Sequence, residues 1–338
     1  MNNDKLEIVN IINKLKEPKL LVIGDFAIDE MVYGKTARIS REAPVLILKH
    51  SETKIILGAA SNAAHNISAL NGGKVKVIGV CGKDYYAPVL MKAFKEAKID
   101  CSLMVSDKDR PTTTKSRISG FSTQSVRQQI VRIDRELNTP VSKRTEDKII
   151  SNIKKSVPDC DGVLLSDYNI GVLTDNIISC AIEEAHKNGK IITVDAQENL
   201  GRYHGVTCLT PNQPDAEKAV GYEINSKEDA IKAGKDLLKI TNSEMMLLTR
   251  GDEGMMVFYD EGRYFNIPAF NKTDVCDVTG AGDTVVAAFT LALAAGATPK
   301  QAAIVGNLAA SIVIRQYGCA TTTRDEMVEV WENLETSI

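Results

Sequence analysis

The 338 residues contain no apolar run of membrane-spanning length, no Cys-x-x-Cys pair, and neither a Gly-x-x-x-x-Gly-Lys-Ser/Thr nor a Gly-x-Gly-x-x-Gly loop. The first absence argues against a transmembrane helix. The second argues against a thiol redox or zinc-ribbon motif. The third argues against a P-loop and against the glycine fingerprint of a nicotinamide dehydrogenase. Histidine occurs four times, at 50, 65, 186 and 204, without metal-ligand spacing, so a zinc site is not expected. Aromatic residues make up 5% of the chain, the net charge is -3, and no basic stripe is present. Nucleic acid is therefore a poor partner, and a membrane is not expected. The seven cysteines, at 81, 101, 160, 180, 208, 276 and 319, lie mostly in apolar stretches. They read as reduced, buried, structural thiols of a cytoplasmic protein. The N-terminus has no signal-peptide pattern and leads into a periodic helix with Leu6, Val9, Ile12 and Leu15 inward, ended by Pro18.

What is present is a 43% hydrophobic chain, long enough for one large α/β domain. Strands read at 20–24, 45–49, 75–80 and 101–105, and helices at 59–70 and 86–98. From about 143 the alternation is regular. Helices at 143–156, 174–187 and 226–240 each precede a strand, at 162–166, 190–194 and 245–249 respectively, and further helices read at 299–315 and 324–335. Such alternation implies a mostly parallel sheet with helices on both faces. Thr174, Ser226, Thr298 and Thr323 are N-cap residues by position. Segments 112–119 and 128–134 alternate apolar and polar residues and read as an exposed β pair. The chain is taken as one domain, 1–338, with a small β lid contributed by about 28–57 and 110–135. Unpaired lid edges are usually covered, which points to a homodimer through the lid.

The most informative stretch is 273–284, Thr-Asp-Val-Cys-Asp-Val-Thr-Gly-Ala-Gly-Asp-Thr. Gly280, Ala281 and Gly282 let the backbone turn sharply and let an anion approach their amides. The following apolar segment reads as a buried helix, whose N-terminus adds positive potential at the same place. Asp283 would sit in its first turn. A phosphate-binding loop with a base beside it suits phosphoryl transfer to a hydroxyl, although the same residues also make an ordinary tight turn. In open α/β sheets ligands bind beyond the C-terminal ends of the strands. Five of those ends carry polar residues: Gly24-Asp25 with Asp29, Ser166-Asp167-Tyr168-Asn169, Asp195, Thr210-Pro211-Asn212, and Thr249-Arg250-Gly251. A small-residue loop, Gly58-Ala59-Ala60-Ser61-Asn62-Ala63-Ala64, opens another helix, and Asn62 could reach a sugar hydroxyl from it.

These segments resemble the ribokinase-like PfkB family of sugar kinases over nearly the whole chain. The stretch 277–284 resembles its C-terminal signature and Gly58–Ala64 its N-terminal one. The fold implied is a ribokinase-like three-layer α/β sandwich with a mostly parallel central sheet and a β lid. Within the family the resemblance is to the kinase half of bifunctional heptose enzymes, which phosphorylate D-glycero-D-manno-heptose 7-phosphate at O1. It is carried by Gly24-Asp25 with Asp29, 38–45, 111–117, Arg127-Gln128-Gln129 with 132–134, and Ser166-Asp167-Tyr168.

The resemblance implies that Asp283 is the general base and that the amides of Gly280, Ala281 and Gly282 form the anion hole. Asn212, Asp215, Glu217, Thr249, Arg250, Gly251 and Asn307 would serve ATP. Asp25, Asp29, Asn62, Gly58, Gln129 and Asp167 would serve the sugar, and Arg38, Arg41, Lys115, Arg117 and Arg127 its existing phosphate. Asp277 and Thr279, with the Gly318 loop, match a monovalent-cation site of some relatives. ATP, Mg²⁺ and, in some relatives, K⁺ are the cofactors implied, and a lid-paired homodimer the assembly. The chain departs from the heptose pattern at Ile170, where Lys is usual, and at Asp215, where Glu is usual. The segment between Arg117 and Gln128 is also longer, and no His-x-Gly-His motif of the nucleotidyltransferase half occurs. Another sugar or sugar phosphate, such as ribose or fructose phosphate, and a non-catalytic sensor on the kinase fold stand as alternatives.

Overall fold

The computed structural model describes residues 3–122, 125–271 and 274–334. The first two residues, Thr273 of the signature stretch and position 335 of the last expected helix lie outside them. The strands are β1 (Leu20–Gly24), β2 (Phe26–Ile39), β3 (Leu46–Ala59), β4 (Val75–Ile78), β5 (Val80–Cys81), β6 (Val105–Ser106), β7 (Thr114–Ser122), β8 (Ser125–Arg135), β9 (Gly162–Asp167), β10 (Ile191–Ala196), β11 (Cys208–Leu209), β12 (Met245–Thr249), β13 (Met255–Tyr259) and β14 (Arg263–Ile267). The helices are α1 (Asn3–Lys14), α2 (Ala60–Asn71), α3 (Tyr86–Glu96), α4 (Lys143–Ser156), α5 (Asp175–Lys187), α6 (Gln213–Val220), α7 (Lys227–Thr241), α8 (Ala281–Ala294), α9 (Pro299–Val313) and α10 (Arg324–Asn333).

Eight strands form the central sheet in the order β14-β13-β12-β11-β10-β9-β1-β4. The pairs from β4 to β12 are parallel, and β12–β13 and β13–β14 are antiparallel. The parallel strands are apolar on both faces because both faces are covered. In β1, Leu20 and Val22 enter one core with α1, α2, α8 and α9, while Leu21 and Ile23 enter the other with α4, α5 and α7. Each such buried side chain contributes about 1.5–3 kcal/mol of transfer free energy. The result is the mostly parallel, helix-covered α/β architecture that the alternation implies.

The caps explain why the helices begin where they do. Thr174, Ser226, Thr298 and Thr323 each accept the backbone N–H three residues on, and Ser142 does the same for α4. Helix α8 is buried almost all round, as its unbroken apolar sequence requires.

A second sheet, in the order β3-β2-β7-β8, stands apart from the body. Its cross-strand register puts Asp29, Lys115 and Asp134 on one face with Met31 and Arg117. Val32, Ile55, Ile118, Val131 and Ile133 share the other. Among the described residues no helix is long and apolar enough to cross a membrane.

Several local expectations are corrected. The strand at 45–49 is the start of a 14-residue strand, and the one at 75–80 breaks into β4 and β5. Of 101–105 only Val105 is in a strand, because 101–104 turn back on a Cys101–Met104 hydrogen bond. In α1 the inward residues are Ile8, Ile11 and Ile12, followed by Leu15, whereas Leu6 is 48% exposed. Four cysteines are buried, but Cys101 and Cys319 are half-buried and Cys276 is exposed; all seven are free thiols.

Candidate active site

Asp283 stands in the first turn of α8, whose N-cap Gly280 adopts a left-handed conformation at φ 76°. A Cβ on Gly280 would lie 2.4 Å from Asn62 Nδ2 and 3.2 Å from Cys319 Sγ, so only glycine fits. Asn62, on the first turn of α2, donates to Asp283 Oδ2 at 2.8 Å. Tyr168, just beyond the end of β9, donates its hydroxyl to Asp283 Oδ1 at 2.7 Å. Asn66 in turn donates to Asn62 Oδ1 and accepts the hydroxyl of Thr284. Four side chains from three elements thus fix one carboxylate.

Burial pushes Asp283 up to about 6, against the pull of the Asn62 and Tyr168 hydrogen bonds; the Asp29 charge adds to the rise and Lys115 opposes it. Burial, then the Asp283 charge, likewise lifts Asp195 to about 7. Tyr168 is held well above its ordinary value, first by burial and then by the negative charges of Asp283 and Asp195, so it remains a donor. Cys319 is pushed up to about 12, chiefly by burial.

On one side of Asp283 a cleft of about 300 Å³ is lined by Thr249, Gly251, Asn307, Ala281 and Gly282, with apolar walls from Met255, Phe270, Val278 and Ile314. On another stands the lid face with Asp29, Lys115 and Arg117. Arg117 pairs with Asp29 at 2.6 Å, and the Lys115 ammonium lies 5.8 Å from the Tyr168 ring centroid. Gly58 is fixed by Asp29, since a Cβ there would approach the Asp29 carboxyl carbon to 2.9 Å.

The other expected residues fall in varied places. Asp25 is fully buried and accepts the amides of Tyr168, Ile170 and Val172. It therefore clamps the loop that follows β9. Its carboxyl is raised to about 7, by burial and then by the Asp167 charge. Asn62 is also fully buried, with its donor on Asp283 and its acceptor on Asn66, so it supports the carboxylate. Asp167 turns to the Tyr203 hydroxyl and Arg202. Arg38 and Arg41 are exposed towards the far end of the lid, and Arg127, also exposed, stacks 4.4 Å from the Tyr33 ring centroid. Gln129 is exposed on the same strand.

Asn212 caps α6 by accepting from Asp215 N, and bridges to Thr249. Asn307 reaches Pro268 O at 2.7 Å. Arg250 is buried and pairs with Glu253 at 2.6 Å. Glu217 accepts from Gln213 and from Ile224 N, so it holds the loop after α6 and does not share the place of Asp215. Asp277 accepts from Thr279 N and from Gly318 N, which ties the signature loop to the Gly318 loop.

Tyr168 and Asp195 are site residues that motif reading left without a role. Their signal was position, at the C-terminal ends of adjacent strands. Asp195 and the buried Asp215 lie within electrostatic reach of each other, and Asp215 is raised by burial and by Glu198 despite the opposing pull of Lys218. Lys218 pairs with Asp215 at 3.5 Å, and among the described residues no cluster of three or more His, Cys, Asp or Glu side chains is placed to hold a metal ion.

A helix entrance of small residues with a hydrogen-bonded carboxylate, set at the strand ends of an open α/β sheet beside a cleft of about 300 Å³, suits a phosphotransferase acting on an alcohol. The pfkB family carbohydrate kinase model matches residues 17–326, and the chain belongs to that family. Membership of a carbohydrate kinase family implies the use of ATP and a divalent metal ion.

The bifunctional protein HldE of a Nitratiruptor species is 38% identical over 313 residues, covering 93% of this chain and 65% of the relative. HldE of Helicobacter hepaticus is 36% identical over 315 residues, covering 93% and 64%. The chain thus spans less than two-thirds of either relative. Among solved structures, phosphofructokinase-2 from Escherichia coli in complex with substrates and products aligns with a TM-score of 0.74 at 16% identity, covering 94% of this chain and 100% of that one. Ribokinase of Arabidopsis thaliana complexed with ribose and ATP aligns at 0.71 and 18%, covering 95% and 99%. At these identities the structural matches establish the fold.

Proposed function

We propose that this kinase transfers the terminal phosphoryl group of ATP to O1 of D-glycero-D-manno-heptose 7-phosphate, giving the 1,7-bisphosphate and ADP. The observation that carries the reading is the Asp283 carboxylate, fixed beside the Gly280–Gly282 amides, with the nucleotide cleft on one side and a cationic lid face on the other. The acceptor hydroxyl gives its proton to Asp283 as its oxygen bonds to phosphorus and ADP departs. The amides of Gly280, Ala281 and Gly282, with the α8 dipole, stabilise the charge on the transferring group. A base in this role contributes ~10²–10⁴ in rate.

Thr249, Gly251 and Asn307 hold ATP directly, with Asn212, Asp215 and Arg250 behind them. A divalent ion such as Mg²⁺, brought in with ATP, would supply neutralising charge to the phosphates. Asp277 and Thr279, tied to Gly318, would hold K⁺; the phosphofructokinase-2 relative is also known in complex with potassium.

Lys115 and Arg117 meet the phosphorylated sugar, and Asp29 its hydroxyls. Arg38, Arg127 and Gln129 approach it from the outer lid. HldE relatives at 36–38% identity support a heptose acceptor. The lid and body act as one domain, in the cytoplasm, where its free thiols stay reduced.

The outer lid face exposes Ile55, Val131 and Ile133. A second lid covering it would make the homodimer. An acceptor panel with coupled ADP detection tests the substrate. Heptose 7-phosphate is expected to give a kcat/KM at least tenfold above fructose 6-phosphate and ribose, and a preference for either of those would displace it.

A further inference from the structure

Asp283 is the end of a chain of supports that reaches beyond its own helix. The Tyr168–Val172 loop is pinned from several directions. Asp25 accepts the amides of Tyr168 at 2.9 Å, Ile170 at 3.2 Å and Val172 at 3.3 Å. The Arg110 guanidinium holds the Ile170 carbonyl together with those of Leu137 and Thr139. Asp167 accepts the Asn169 amide at 2.8 Å. A loop restrained at this many points holds a single conformation. Its one aromatic side chain delivers a hydroxyl to Asp283 Oδ1, while Asn62 takes Oδ2 from the opposite element.

We propose that Tyr168 is a positioning residue for Asp283: its hydroxyl, held in place by the Asp25 clamp, fixes the carboxylate plane and favours its ionised form. The terminal torsion of an aspartate is broad and two-fold, so one donor leaves the group free to swing and two at opposite oxygens do not. An ionised carboxylate accepts on both oxygens, and lone pairs remain for the acceptor proton. A hydrogen bond donated to the charged form also offsets the burial that would protonate it.

The other charged or titratable groups facing Asp283 are Asp29 from β2, Lys115 from β7, Asp195 from the end of β10 and Cys319 from the loop after α9. Among the described residues the side-chain hydrogen bonds to the Asp283 carboxylate come from Asn62 and Tyr168, and Lys115 stands across the Tyr168 ring. The task of holding Oδ1 therefore falls to the tyrosine. The proposal rests on the reading of Asp283 as the base, which the experiment treats separately.

The test is Tyr168→Phe in the full chain, assayed with ATP and D-glycero-D-manno-heptose 7-phosphate. A second readout needs no acceptor: infrared titration of the buried carboxyl, assigned to Asp283 by its loss in Asp283→Asn. Positioning predicts that kcat falls about tenfold to hundredfold, as loss of a hydrogen bond to a charged group does, with KM for ATP within twofold of wild type. It also predicts that the carboxyl midpoint moves to higher pH. A packing role alone would lower the melting temperature and leave the midpoint in place. A kcat within twofold of wild type, or an unmoved midpoint, overturns the proposal.

If Tyr168→Phe does not fold, 3-fluorotyrosine at 168 keeps the hydroxyl and nearly the same shape while making it a stronger donor. The midpoint must then fall, and an unmoved one overturns the proposal. Wild-type turnover in Asp283→Asn removes the base reading itself. An inactive Asp283→Asn beside a fully active Tyr168→Phe removes only the role of the tyrosine.

Discussion

Gly280→Ala puts one methyl group where the structure has no room. The φ of 76° is left-handed, and a non-glycine residue there costs about 1–2 kcal/mol. The added carbon would stand 2.4 Å from Asn62 Nδ2, well inside contact distance. Asn62 is fully buried and bound to Asn66, so it has little freedom to withdraw without breaking its 2.8 Å bond to Asp283. The half-buried Cys319 thiol, 3.2 Å away, gives way more easily.

Two separable effects are expected. The strain should lower the melting temperature by a few degrees, at about 2–4 °C per kcal/mol for a chain of this order of size. Displacement of a pre-organised donor and tilting of an anion-hole amide should lower kcat by ~10²–10³. Differential scanning fluorimetry and an ADP-coupled assay measure the two. Gly280→Ala with unchanged turnover and unchanged melting temperature would refute the claim that the Gly280 turn, Asn62 and Asp283 form one rigid unit.

Acidification should move activity and stability in opposite directions. Asp283, with a folded value of about 6, must be ionised to act, so kcat/KM should decline below about pH 6. Asp25, Asp195 and Asp283 all have folded values raised above their unfolded ones, so the native state binds more protons between about pH 4 and 7. Their contribution to stability therefore grows as pH falls through that window. A melting temperature that drops from pH 7.5 to 5.5 in step with activity would contradict this. On the lid, Ile133→Asp places a charge on the exposed apolar face. Light scattering is expected to report a dimer for the wild type and a monomer for the variant, and an equal mass for the two would remove lid pairing.

Much of the body was legible because its signals are local. Thr174, Ser226, Thr298 and Thr323 bond to amides three residues on, so a short window contains the whole interaction. The lid was harder. Strand β3 carries Lys49, His50, Glu52 and Lys54 in the open, and without a buried face the two-residue period fades. The hairpin of β13 and β14 went unread for a related reason. Four of the five residues of β14 are exposed, and the pairing that fixes it is with its neighbour in the sheet.

At the site, Gly280, Ala281, Gly282 and Asp283 are adjacent in sequence, so the sharp turn and the acidic residue in the first turn of α8 are legible in a short window. The contacts that support Asp283 cannot. Asn62 is 221 residues away and Tyr168 115, and both meet it only because α2, β9 and α8 converge at one end of the sheet. The same distance hides the clamp made by Asp25, whose amide partners lie 143 to 147 residues away.

The most direct measurement is the turnover of Asp283→Asn, with ATP affinity measured beside it. The substitution keeps the size of the side chain and its place in the first turn of α8 while removing the proton acceptor. The account predicts a kcat lower by ~10²–10⁴ with the ATP dissociation constant unchanged. Turnover equal to that of the wild type would contradict it.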